Sequence, residues 1–251
     1  ADAFFVAFKI PNFMRRLFAE GAFAQAFVPV LSEYRSQGTL AAVKALIDRV
    51  AGGLGLVLLL VTALAVLGAP LVATVFAPGF HSDPTQFALA TDMIRITFPY
   101  LMLISLTGLT GAILNSYDQF AVPAFTPVLL NVCLIAAALL AAPHFNPPAL
   151  GLAWGVLAAG VVQLVFQLPF LARLQLLPSP KLDWADPGVK RILALMVPAL
   201  FGVSVSQINL MLDTIIASLL PGGSISWLYY SERLADLSLT AHQVGFFSVS
   251  R

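Results

Sequence analysis

An all-α, polytopic membrane protein is the fold class this sequence predicts, and three observations predict it. Of 251 residues, 59% are hydrophobic and only 10% are charged, against about 25% charged in an ordinary soluble domain. The mean hydropathy is +0.92. The apolar residues are gathered into uncharged runs that reach the ~20 residues a membrane-crossing helix needs.

The spans follow in chain order from where those runs begin and end. The first covers 1–31, and the next two cover 50–76 and 88–113. An uncharged run from Gln119 to Ala172 would make a helix of roughly 80 Å against a hydrocarbon core of about 30 Å, so it must fold back. The break is "PHFNPP" at Pro143 to Pro148, whose prolines cannot continue a helix. This leaves spans at 120–142 and 149–172, followed by 192–219 and the start of another at 224–237. From Ser238 the tail "SLTAHQVGFFSVSR" leaves the apolar pattern, so 238–251 stands apart from the transmembrane domain of 1–237.

Orientation follows from the cations. The connection 32–49 holds Arg35, Lys44 and Arg49, and 173–191 holds Arg173, Lys181, Lys190 and Arg191. The opposite connections, "APGFHSDPTQ" at 77–86, "PHFNPP" and "PGGS" at 221–224, hold none. Lys and Arg concentrate on cytoplasmic loops, so the first helix runs inward from an outer-face Ala1. A chain that starts in the cytoplasm then needs an odd number of earlier spans. Without an initiator Met or a signal-peptide pattern, the expectation is one helix ahead of Ala1.

After the loops are set aside, charges remain inside the apolar runs: Asp2, Lys9, Arg15, Arg16, Glu20, Asp92, Arg95, Asp213, Glu232, Arg233 and Asp236. A cation or Asp at a helix centre costs about 2.5–3.5 kcal/mol, so such groups face protein or a watery cavity. Asp2, Lys9 and Arg16 recur every seven residues, and Glu20 lies one turn past Arg16, within pairing reach. Arg15 points about 100° away on an ideal helix. Pro11 interrupts that geometry, so which arginine faces the cavity stays open. An alternative is that these cations are structural partners of Glu20 and Asp2, or snorkel to an interface. Asp92 and Arg95 are spaced to pair with each other. Ser206, Asn209 and Asp213 share a helix face that either lines a pathway or joins helices.

"GLAWG" at Gly151 to Gly155 has the small-residue spacing that lets helices approach. Pro11, Pro29, Pro99, Pro123, Pro127, Pro169 and Pro198 interrupt apolar spans, as in the broken helices of transporters. No GxxxxGK[ST] loop or HExxH pair occurs, and His81, His144 and His242 are scattered, which argues against a nucleotide-driven pump or a metalloprotease. Cys133 stands alone as a small apolar residue. A net charge of +1 gives no footprint for nucleic acid. No cofactor or metal is implied.

Several stretches are also recognisable as wording: "ADAFFVAFKIPNFMRRLFAEGAFAQAFVPVLSEYR" at 1–35, "APGF" at 77–80, "ITFPYLMLISLTGLTGAILNS" at 96–116, "FNPPALGLAWGV" at 145–156, "GVSVSQIN" and "SISWLYYSERL". Over about residues 1–237 the sequence resembles the MurJ (MviN) family of bacterial lipid II flippases, in the multidrug/oligosaccharidyl-lipid/polysaccharide exporter superfamily. The resemblance implies the N-terminal lobe of a two-lobe helical transporter of the inner membrane, with a helix before "ADAFF" and a second lobe after this chain. It implies translocation of undecaprenyl-diphosphate-linked muropeptide by alternating access through a cationic cavity, and no enzymatic step.

Lipid II, membrane lipids and the cell-wall synthesis machinery are the implied partners. By motif, Asp2, Arg15 and Arg233 fall on positions needed for substrate handling, with Asp2 a gate or partner charge. Lys9, Arg16, Glu20, Asn209, Asp213 and Glu232 are cavity or gating candidates. Arginine suits a diphosphate because its fork makes bidentate contacts and stays charged. The fragment alone is expected not to transport. Rival readings are another exporter of the superfamily, for a lipid-linked oligosaccharide or as a cation-coupled drug antiporter, and a non-transporting truncated paralogue. A drug antiporter should offer carboxylates as its main cavity charges.

Overall fold

The computed structural model describes residues 2–15, 22–232 and 234–235, except for the side chains at 203, 205–207 and 210. Arg16, Glu20, Arg233, Asp236 and the tail from 238 lie outside the described residues. All the regular structure described is helical.

Helix α1 spans Asp2–Arg15 and carries Pro11 within it. Helix α2, Ala24–Gln37, ends at Gly38, and Thr39 starts α3 by accepting the Ala42 amide. That cap sets the start of α3, Leu40–Leu67, ten residues before the uncharged run read from sequence. The helix then breaks at Gly68, and α4, Ala69–Phe76, begins with Pro70 in its first turn, where a missing N–H costs nothing. A tight turn at Pro78–Ser82 follows.

Asp83 caps α5, Pro84–Thr97, by accepting the amides of Thr85 and Gln86. Pro99 opens α6, Pro99–Ser116, so the run expected as one span, 88–113, is two helices meeting at Phe98. Helix α7, Ala121–Ala136, continues through a wide turn at Ala137–Ala141 and a tight one at Ala142–His144 into the proline-rich break. Helix α8 spans Ala149–Arg173. Helix α9, Pro187–Ser218, is capped by Asp186. A further helix, α10, runs over 224–232 and is again helical at 234–235.

Four helical stretches are long and apolar enough to cross a membrane: Leu40–Leu67, Pro84–Ser116, Ala121–His144 and Ala149–Arg173. Only 11% of the best window in Ala121–His144 is buried, so the described residues leave most of that helix's circumference uncovered. The core lies instead between α1, α5, α6 and α8 towards the outer end, and between α2, α3, α6 and the end of α8 towards the Lys/Arg-bearing end.

Gly151 and Gly155 do the packing their spacing predicts. A Cβ on Gly155 would sit 2.4 Å from the Ala137 Cβ, and one on Gly151 would sit 2.8 Å from Ala142 backbone atoms.

Ion pairs draw the inner rim together. Arg49 bridges Asp183 at 3.1 Å and Asp186 at 2.8 Å, and Arg191 meets Glu33 at 2.6 Å. Buried Asp48 pairs with Lys44 and accepts the Ser179 amide at 2.8 Å, while its carbonyl takes the Lys181 amide at 2.9 Å. The 178–186 connection therefore straps across α3 at Gly52, where a Cβ would lie 2.1 Å from the Lys181 carbonyl oxygen.

Candidate functional site

Helices α6, α7 and α8, closed on one side by α1 and α2, enclose a cavity of about 530 Å³. Its polar lining is Arg15, Thr107, Asn115, Thr126, Gln163 and Gln167, and Arg15 is the one charged residue among the lining residues described. Asn115, exposed at the end of α6, stands at its inner mouth. Arg15 lies thirteen residues along α1 from Asp2, a depth of about 20 Å. Its Nε donates to Asn12 Oδ1 at 2.9 Å, which fixes one edge of the guanidinium. Ile10 and Pro11 are buried and residues 12–15 half-buried, so α1 is anchored against the lobe up to the turn that carries Arg15.

The wall opposite is a buried hydrogen-bond chain. Thr110 Oγ1 donates to Gln167 Oε1 at 2.5 Å, Gln167 Nε2 donates to Thr126 Oγ1 at 2.9 Å, and Gln163 Nε2 donates to the Thr126 carbonyl at 3.0 Å. Gln163 Oε1 is buried without a hydrogen-bond partner. A buried acceptor left unmade costs about 1–3 kcal/mol, so this face of the cavity favours a hydrogen-bond donor. Sequence reasoning passed over these residues because each is a lone neutral group in an apolar run. The available signal was spacing: Thr107 and Thr110, like Gln163 and Gln167, repeat at one helical turn.

The outer end is sealed where α1 meets α9 and α10. Asp2 accepts three hydrogen bonds, from the amides of Gly223 at 2.6 Å and Ser226 at 3.2 Å and from Ser226 Oγ at 2.5 Å. Its carboxylate thus caps the positive N-terminus of α10. One and two turns further in, Phe5 stacks on Tyr229 at 4.4 Å, and Lys9 Nζ reaches Glu232 at 3.0 Å and Thr214 at 3.1 Å. The Pro78–Ser82 turn closes the same end. A Cβ on Gly79 would lie 1.7 Å from the Ser218 carbonyl oxygen, so only glycine permits this approach.

The expected site residues therefore separate. Arg15 lines the cavity. Asp2, expected with the substrate contacts or as a gate, lies at the outer seal and not among the lining residues. Lys9 pairs with Glu232, and the other members of its expected stripe past Asp2, Arg16 and Glu20, lie outside the described residues. Asn209 and Asp213 are exposed on α9, outside the cavity lining. Asp92 and Arg95 pair at 3.2 Å. Arg16, Glu20 and Arg233 lie outside the described residues.

Comparison with known proteins matches the family model described as "Lipid II flippase MurJ" over residues 1–250. A probable lipid II flippase MurJ of Vibrio cholerae is 52% identical over all of this chain and 48% of its own length. One of Haemophilus influenzae is 50% identical over all of the chain and 49% of its length, and a lipid II flippase MurJ of Burkholderia cenocepacia is 48% identical over 94% and 46%. The solved lipid II flippase MurJ in its inward closed conformation superposes with a TM-score of 0.76 at 28% identity, covering 94% of this chain and 48% of that one. The chain spans about half the length of the curated relatives it matches. With an all-helical lobe and sequence identity running its full length, the chain belongs to the lipid II flippase MurJ family, as part of a multi-pass protein of the bacterial inner membrane.

Proposed function

We propose that this chain is the greater part of the N-terminal lobe of a lipid II flippase, in which the Arg15 cavity receives the undecaprenyl-diphosphate headgroup from the cytoplasmic side while the α1–α10 seam holds the outer face shut. One observation carries the reading: a cavity whose described charge is a guanidinium, with its mouth at the Lys/Arg-bearing end. A diphosphate in the bilayer must exchange hydration for cations and hydrogen-bond donors, and Arg15 with the neutral polar wall supplies both. The family's described activity is translocation, which needs no catalytic group.

Alternating access then has a physical basis. Opening the outer face requires Asp2 to leave the α10 N-terminus and Lys9 to leave Glu232, while the cavity mouth near Asn115 narrows. From the family motif we assign Arg233, next to Glu232 in sequence, a headgroup contact. We read the first visible run, α9 and α10 as membrane-crossing too, which gives six crossings and the start of a seventh.

A drug antiporter is disfavoured, since no carboxylate is among the described lining residues. The test is complementation by the full-length protein in cells depleted of their own lipid II flippase. Arg15→Ala should abolish growth, Arg15→Lys should restore it partly because a point charge replaces a bidentate fork, and full growth with Arg15→Ala would overturn the assignment.

A further inference from the structure

Behind the cavity wall, between α3 and α9, lies a second groove of about 160 Å³. Val50, Leu54, Val57 and Val61 form its α3 side, and Leu193 and Met196 its α9 side. Apart from the Trp184 indole N–H, every lining side chain is apolar. Apolar cavities of about this size stay dry and take up hydrocarbon. We propose that this groove is a binding site for one acyl chain of a bilayer phospholipid of the cytoplasmic leaflet, whose phosphate is met by Lys190.

Four features point to that occupant. The groove opens onto an exposed apolar surface of a membrane-spanning helix, with Val57 at 45% and Leu64, further outward on the same helix, at 71%. From Val50 to Val61 it runs roughly 16 Å along α3, about the depth of one leaflet of a 30 Å hydrocarbon core, beginning at the inner rim.

Trp184 sits at that mouth with its ring over Gly53, where a Cβ would be 3.4 Å away, and tryptophan belongs at the membrane–water interface. Lys190 lies one turn before Leu193 and is exposed. Arg49 and Arg191 are taken up by carboxylates, whereas Lys190 pairs with none among the described residues. Its long stem can carry the ammonium to a phosphate at the interface.

The substrate's own polyprenyl chain is not the occupant. Phe23 and Leu101 face this groove, while their neighbours Ala24 and Tyr100 face the Arg15 cavity. The two spaces are thus on opposite sides of a packed wall, and a tail tethered to a headgroup in the cavity cannot reach the groove without crossing it. The inference is independent of the flippase reading.

The test uses the full-length protein in bilayers containing increasing fractions of phosphatidylglycerol with brominated acyl chains, which quench tryptophan on contact. One variant keeps Trp184 as its sole tryptophan, with Trp154, Trp227 and any tryptophan elsewhere in the full-length protein changed to Phe, and a second keeps only Trp154, exposed on α8, as a reporter of ordinary boundary lipid. Quenching of Trp184 should saturate while that of Trp154 still rises in proportion to brominated lipid. Lys190→Gln should raise the half-saturating fraction about fivefold, the loss of one near-surface lysine contact. Val57→Phe, which fills the groove away from Trp184, should remove the saturable phase with the circular dichroism spectrum unchanged. Proportional quenching of Trp184, no quenching because polypeptide covers it, or displacement by undecaprenyl phosphate at lower concentration than phosphatidylglycerol would each overturn the proposal.

Discussion

Asp2→Ala is the sharpest perturbation of the outer seal. It removes the acceptor of three hydrogen bonds at the start of α10. Loss of a helix cap costs about 0.5–2 kcal/mol, and removing a carboxylate from a helix N-terminus costs about 0.3–1 kcal/mol more. Asp2 is partly exposed, so a total near the middle, about 2 kcal/mol, is the fitting figure. That is roughly a 30-fold fall in the ratio of closed to open outer face.

The readout is labelling of Ala217→Cys, a position 7% exposed that lines the small outer pocket beside Asp2. A membrane-impermeant maleimide is supplied from the outer face, in a background where Cys133 and any other cysteine of the full-length protein are replaced by Ser. The rate should rise about 30-fold with Asp2→Ala. With Asp2→Asn it should rise less, because the amide keeps one acceptor oxygen. Asp92→Ala, which breaks an exposed ion pair on α5, should leave it unchanged. Equal rates in wild type, Asp2→Ala and Asp2→Asn would mean that the cap does not hold the seal, and the gating argument would fail.

Two further outcomes follow from the structure. Gly52→Ala sets a Cβ 2.1 Å from the Lys181 carbonyl, a backbone contact that cannot yield by rotamer change, so the strap should lift at a cost of about 1–3 kcal/mol; trypsin cleavage after Lys181 should accelerate at least about fivefold, and unchanged cleavage would refute the strap. Asp83 is held below its ordinary pKa, first by the Thr85 side-chain hydrogen bond and then by the Gln86 amide. Its folded value lies under its unfolded one, so its contribution to α5 is complete above about pH 4 and is lost as pH falls through the lowered folded value. Amide exchange at Phe87 to Leu89, corrected for intrinsic rate, should therefore lose protection on acidification in wild type and not in Asp83→Asn.

Much of the chain's local structure was legible residue by residue. Pro143 to Pro148 separates α7 from α8, the GLAWG glycines pack against Ala137 and Ala142, and Asp92 pairs with Arg95. Charge did not end the helix at the inner rim. Lys44, Asp48 and Arg49 lie inside α3 because each finds a partner at the rim, which lets the helix run back to its Thr39 cap. Pro99, one of the prolines that interrupt the apolar runs, opens α6 within the single span expected at 88–113.

The candidate site was half visible. Arg15 announced itself as a guanidinium within an apolar run, whereas Thr126, Gln163 and Gln167 gave no such signal, because neutral polar groups are common helix-joining residues.

Composition and local wording were enough to establish a helical membrane protein, its family and the presence of intramembrane cations, since each is a property of short stretches of chain. Which partner each charge meets was decided only by the assembled helices: Asp2 finds Ser226, and Lys9 finds Glu232, across more than 220 residues. The physical reason is the solvent. Lipid is as apolar as a protein interior, so hydropathy marks how deep a residue lies but not whether it faces lipid, a neighbouring helix or a cavity.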